Sequence, residues 1–279
     1  MKNEKLHYDD PIEIADGIYW VGFMDEKAGL HCNPYLIVDN DEAVLIDSGS
    51  RSHFSTVMLK IMRTGFNPKN ITRLIYQHYD PDLCGNIPHM EAMIDNADLK
   101  IISQRENNYF ICYYSAKSPV LCIKEMGMFY EFSSGRRLEF VSVPYCHAPG
   151  NFITYDTKTN VLFSSDIFGA YDEDWTLYTQ ITENCINCAA ANNQDEARTC
   201  GAKEGKCKTH EMIVFHKRIM PSTRALKYAL AQIEKLDVSL IAPQHGSILD
   251  SAASKTAAIK QLKSISNVGF DYLFEGINI

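Results

Sequence analysis

Residues 77–85 read QHYDPDLCG, which places His78, Asp80 and Asp82 at alternate positions directly after the apolar stretch RLIYQ. That stretch predicts a buried strand. An imidazole and two carboxylates on the loop at a strand's carboxyl end is how a rigid scaffold presents ligands to a metal ion. Pro81 stiffens the loop. Alone the pattern is weak, because polar side chains at alternate positions also simply face solvent. Three more segments repeat the format. VSVPYCHAP carries His147, VLFSSD ends on Asp166, and LIAPQHG carries His245. Each by itself reads as readily as a capping aspartate or a hydrogen-bonded core histidine. Four together argue for one site of three imidazoles and three carboxylates built from converging strand ends. Asp47, in IDSG, is a fifth strand-end carboxylate and is read as a group standing behind the ligands.

A second cluster has a different chemistry. Cys185-x-x-Cys188, Cys200 and Cys207, with His210 nearby, lie in residues 184–210, a polar stretch of small side chains without visible periodicity. The spacing fits a structural zinc knuckle or an iron site. The second CxxC of a rubredoxin is missing, because six residues separate Cys200 from Cys207. The bland alternative is four thiols that stay reduced. The other five cysteines (Cys32, Cys84, Cys112, Cys122 and Cys146) read as small buried residues, with Cys84 and Cys146 placed beside ligand motifs.

The elements that must position these groups alternate between strand and helix. Short β-branched and aromatic runs at 18–23, 35–38, 43–46, 73–77, 100–103, 138–143, 151–155, 161–165 and 240–242 predict strands. Helical patterns occupy 52–63, 222–236 and 251–265, the second with Ser222 as its cap. Interleaved strands and helices predict a layered α/β domain. With 279 residues, 46% of them hydrophobic, the chain can bury a large core and is neither disordered nor fibrous. No apolar run is long enough to span a bilayer, and residues 1–17 lack the apolar segment of a secretory signal. These features lead to the expectation of a cytoplasmic protein with no membrane partner. A net charge of -8 disfavours nucleic acid.

The ordered set Asp47-Ser48-Gly49, His78-x-Asp80-x-Asp82, His147, Asp166 and His245 resembles the five-motif signature of the metallo-β-lactamase superfamily. More narrowly it is similar to the diiron domain of flavodiiron proteins and to related stand-alone oxygen-binding diiron proteins. The resemblance runs from about residue 14 to about residue 249. It implies an αβ/βα four-layer sandwich, one domain over 1–279 with the cysteine-rich insert, and two iron ions between the loop ends of the sheets. It further implies that His78, Asp80 and His147 bind one iron, that Asp82 and His245 bind the other, and that Asp166 bridges them. Two departures stand out. The family usually has Glu where this chain has the shorter Asp80, and the family's last motif histidine is Leu83 here. Cys84, His89 and His31 are the neighbours that could replace it, and each reads equally well as an ordinary packed or surface residue.

On this resemblance the chain binds O₂ and activates it as a bound peroxide, acting either as an oxygen sensor or as a slow reductase fed by an external donor. Tyr79 and Tyr171 are candidate hydrogen-bond donors beside the metals. Two alternatives belong to other classes: a zinc or manganese hydrolase on the same fold, and a metal-stabilised binding module without catalysis. No FMN-binding domain is expected in this chain. The partners expected are O₂, an electron donor or a signalling protein, and a second copy of the chain. The insert is expected to hold zinc or iron in a structural role.

Overall fold

The computed structural model describes residues 6–23, 30–171, 175–186, 188 and 207–273. The chain divides into two compact units: residues 1–24, 32–139 and 157–159 form the first, and residues 25–31, 140–156 and 160–279 the second.

The first unit is organised on a seven-stranded sheet in sequential order, β1 (Ile12–Ala15), β2 (Ile18–Trp20), β3 (Tyr35–Asp39), β4 (Glu42–Ile46), β5 (Ile71–Ile75), β6 (Lys100–Ser103) and β7 (Val120–Cys122). The first four pair antiparallel. The last three join in parallel, each crossover filled by helix. Asn40 carries the tight β3–β4 turn at φ 54°, a conformation asparagine tolerates better than most residues. Helix Phe54–Arg63 buries Val57, Met58 and Ile61, and Ile87–Ile94 buries Ile87, Met90 and Ile94. Both join Leu36, Leu45, Leu74 and Ile101 in one apolar cluster.

A five-stranded sheet runs in the order β12 (Leu240–Ala242), β11 (Val161–Phe163), β10 (Phe152–Asp156), β9 (Arg137–Ser142), β8 (Phe129–Glu131). In the second unit, β11 pairs antiparallel with β10 and parallel with β12. Helices Lys208–Ile219, Thr223–Ile233 and Ala252–Ser264 supply the apolar cluster there, with Phe168, Leu226, Leu230, Ile241 and Leu262 buried. Ser222 caps its helix through the Ala225 amide at 3.4 Å, and Ser251 does so through the Ser254 amide at 3.1 Å. Among the described residues no helix is long and apolar enough to cross a membrane.

Candidate metal centre

In the first unit the ligand motif begins where β5 leaves the ladder. Tyr76, Gln77 and His78 are all buried, and their backbone is clamped from the side. Ser103 Oγ donates to Tyr76 O at 2.6 Å, Asn107 Nδ2 to Gln77 O at 3.4 Å, and Cys84 Sγ to His78 O at 3.6 Å. Helix Pro81–Cys84 follows, with Asp80 at its N-cap and Pro81 at N1. That single turn is tied to the end of β4. Ser48 donates to Leu83 O through both its amide (3.1 Å) and its hydroxyl (2.8 Å). Gly85 is needed there, since a Cβ would stand 2.5 Å from Pro81 O.

This scaffold sets His78 Nε2 3.8 Å from Asp80 Oδ2. The Sγ of Cys32, a residue read from the sequence only as small and buried, donates to Asp82 Oδ2 at 3.7 Å. Asp47 is buried at φ 56°, and the Gln77 amide lies 3.5 Å from its Oδ1. Burial, with Asp47, Asp82 and Asp80 nearby, pushes the Cys84 thiol well above its usual range. Leu83 is fully buried in the apolar cluster, and His89 packs its ring on Phe54, 5.2 Å between centroids. Tyr79 stacks on Phe110 at 4.4 Å.

In the second unit Asp166 has an imidazole on each oxygen. His147 Nε2 lies 3.0 Å from Oδ2 and His245 Nε2 3.8 Å from Oδ1. His147 sits inside a turn in which the Tyr145 amide bonds Ala148 O (2.8 Å) and the Cys146 amide bonds Val143 O (3.2 Å). Burial first, then Asp166, pushes the Cys146 thiol up to about 12. Side chains help to hold the loop that carries Asp166. Ser164 Oγ donates to Ile167 O at 2.7 Å, Ser165 Oγ to Asn151 Oδ1 at 3.0 Å, and the Phe168 amide to His216 Nε2 at 3.1 Å. His216 Nδ1 in turn donates to Met212 O at 2.7 Å. Burial holds this ring neutral, its pKa lowered to about 4.

His245 lies three positions past the end of β12, after Pro243 and Gln244. Its Nδ1 is 2.6 Å from the backbone oxygen of His31. A carbonyl only accepts, so Nδ1 carries the proton, and in the neutral ring Nε2 presents its lone pair toward Asp166. A lone pair aimed at a carboxylate is unfavourable unless a cation lies between them or the ring is charged. His31 is buried, with its ring 5.0 Å from Trp175, and acts on the site through its main chain. Trp175 Nε1 donates to Gly246 O at 2.8 Å. Gly246 has φ 83°, and a Cβ there would meet Ala170 N at 3.0 Å. Tyr171 packs against Phe215 at 5.1 Å, its hydroxyl pKa raised by burial.

Of the cysteine insert, Cys185 and Cys188 are half-buried and pack against the cluster that contains buried Cys207. Cys200 lies outside the described residues. The stretch without visible periodicity ends sooner than residue 210, because helix Lys208–Ile219 begins inside it and includes His210.

Comparison with known proteins gives a consistent result. A family model described as ODP family beta lactamase matches residues 30–246. An uncharacterized protein of Methanocaldococcus jannaschii is 28% identical over 248 residues, 85% of this chain and 56% of that one. The nitric oxide reductase of Moorella thermoacetica is 26% identical over 254 residues, 85% of this chain and 57% of that one. The chain therefore spans little more than half the length of these two relatives. A solved structure of the peroxy diiron species of chemotaxis sensor ODP superposes with a TM-score of 0.74 at 23% identity, covering 95% of this chain and 98% of that one. The flavodiiron protein of Giardia intestinalis superposes with a TM-score of 0.72 at 19% identity, covering 93% and 60%. The mixed α/β, two-sheet, metallo-β-lactamase-type fold expected from the sequence is thus the fold of the chain.

Proposed function

The chain belongs to the ODP family of β-lactamase-fold proteins, and from that premise we propose that it holds two iron ions and binds dioxygen there, as an oxygen sensor. The observation that carries the proposal is the second unit's triad. One carboxylate, Asp166, has an imidazole nitrogen on each oxygen, and the tautomer of one imidazole is fixed from behind by a backbone carbonyl. Metal-binding histidines show this arrangement, in which the far ring nitrogen donates its proton and the near one is left basic.

His78, Asp80 and His147 are assigned to one ion, Asp82 and His245 to the other, and Asp166 to both. The donor set is oxygen and imidazole nitrogen, which suits iron or manganese. Held by these residues, a ferrous pair would offer O₂ one electron from each ion, whereas zinc is redox-inert and would serve hydrolysis. The chain's own contribution is to orient. His31 O holds His245, Ser164 and His216 hold the Asp166 loop, and Ser48 holds the turn that carries Asp80 and Asp82. His216 has both ring nitrogens engaged, so it fixes backbone rather than moving protons.

Support for a sensor over a reductase comes from the ODP family model that matches residues 30–246, the family name borne by the solved chemotaxis sensor. A signalling protein is the proposed partner, and the cytoplasm the proposed compartment.

The test is metal analysis of protein purified without air, followed by mixing the reduced protein with O₂ in a stopped-flow absorbance instrument. Two irons per chain and a coloured product that persists for many seconds are expected. Two zinc ions from iron-replete cells and no optical response would overturn the reading in favour of a hydrolase. Fast multiple turnover with an added reductant would make the chain a reductase.

A further inference from the structure

Resting on the diiron reading, we propose that Cys32 is a metal ligand, its thiolate serving the ion held by Asp82 in place of the family's missing histidine. The ion assigned to Asp82 is short of one protein ligand, because position 83 is a leucine. The thiol of Cys32 stands 3.7 Å from Asp82 Oδ2, although fifty positions separate the two in sequence. In the metal-free fold this thiol donates a hydrogen bond to Asp82 Oδ2, and a cation bound to Asp82 on that side would take the place of the shared proton with both groups as donors.

The placement is fixed by main chain rather than by a flexible side chain. Cys32 is 5% exposed. It is bridged to Phe23, whose amide donates to Cys32 O at 3.3 Å, while the next residue but one is tied by Val21 N to Pro34 O at 3.0 Å. The approach is so close that a Cβ on Gly22 would lie 2.3 Å from Cys32 O. Cys84, two residues from Asp82, differs: its thiol is directed to the His78 carbonyl at 3.6 Å.

On binding, the S–H bond breaks, the proton leaves to water and a sulfur–metal bond forms, with no change of oxidation state. The added negative charge favours the ferric over the ferrous ion. It also gives the centre a sulfur-to-iron charge-transfer absorption that an oxygen and nitrogen donor set lacks.

The experiment uses the full chain carrying Cys185→Ser and Cys188→Ser, which removes the CxxC pair of the insert from the sulfur signal. Loaded with zinc, it should show one sulfur scatterer per two zinc ions at about 2.3 Å in X-ray absorption. Loaded with iron and oxidised, it should show the charge-transfer band. A further Cys32→Ser change should abolish both signals and weaken the second metal by at least about tenfold, the loss typical of even an outer-shell partner. The parent alone decides the matter if Cys32→Ser does not fold: two bound metals with no sulfur scatterer overturn the assignment and leave the dinuclear reading standing. A sulfur signal that survives Cys32→Ser assigns another thiol and also overturns it. A parent that binds no metal overturns the diiron reading itself.

Discussion

The Nδ1 proton of His245 is held by the backbone carbonyl of His31 at 2.6 Å, across 214 positions of sequence. A backbone acceptor cannot be lost by mutation, so the contact is reached through Trp175. Its ring lies 5.0 Å from His31, and its Nε1 donates to Gly246 O, the residue next to His245. Trp175→Phe keeps the ring packing and deletes that bond. The expected result is a fall of roughly ten- to hundredfold in affinity for the metal assigned to His245, as for other outer-shell partners of a ligand. The other metal should be retained. Competition with a chromophoric chelator measures both constants, and a uniform weakening of the two metals would point to general loosening instead.

Asp166→Ala is expected to lose both metals, whereas His147→Ala is expected to lose chiefly the one proposed for it. The basis is the pair of contacts on Asp166, 3.0 Å from His147 on one oxygen and 3.8 Å from His245 on the other. Elemental analysis after gel filtration reads the outcome directly. Normal metal content in Asp166→Ala would show that the carboxylate is not shared.

His216 gives the fold a pH dependence whose sign follows from its burial. The folded ring stays neutral to about 4, against an ordinary value of 6.5 in the unfolded chain. Above 6.5 neither state takes up a proton, so the stability is fully present. As pH falls from 6.5 toward 4 the unfolded chain gains a proton that the folded chain cannot accept, and stability drops by about 3 kcal/mol in order of magnitude. Denaturation midpoints of metal-free protein at pH 7 and pH 5 should differ by less in His216→Gln than in the parent. An equal drop in both would place the acid sensitivity elsewhere.

Much of this was legible because strand ends announce themselves. An apolar run followed by a ligand-type residue predicted β5, β11 and β12 and led to His78, Asp166 and His245 as candidate ligands, though β5 stops at Ile75, two residues early, where the Ser103 and Asn107 clamps take over. Helix Ile87–Ile94 was hidden by Pro88, which reads as a breaker but sits harmlessly in the first turn. Helix Lys208–Ile219 was hidden by the cysteine-rich stretch that runs into it. His216 and Cys32 were missed for another reason. One acts by gripping a backbone amide and the other by standing beside a carboxylate fifty residues away. Nothing in the local sequence encodes either contact; only the tertiary path does. The role of His31 was equally illegible, because it lies in the main chain.

Leu83 joins the ligand motif to the apolar cluster, and restoring a histidine there should separate the two. Leu83 is fully buried among apolar side chains, and its carbonyl takes two bonds from Ser48 that any residue would preserve. An imidazole in that cluster without a partner costs about 1–3 kcal/mol in the metal-free protein. Bound to an ion beside Asp82, the same ring recovers that cost and more. Leu83→His in a Cys32→Ser background should therefore lower the melting temperature of metal-free protein while enlarging the rise that metal produces, because ligand bound only to the folded state adds stability. The size of the metal-induced shift is the measurement. A metal-free loss with no larger shift would show that the turn at Pro81–Cys84 does not present position 83 to the metal, and that the leucine is there for packing alone.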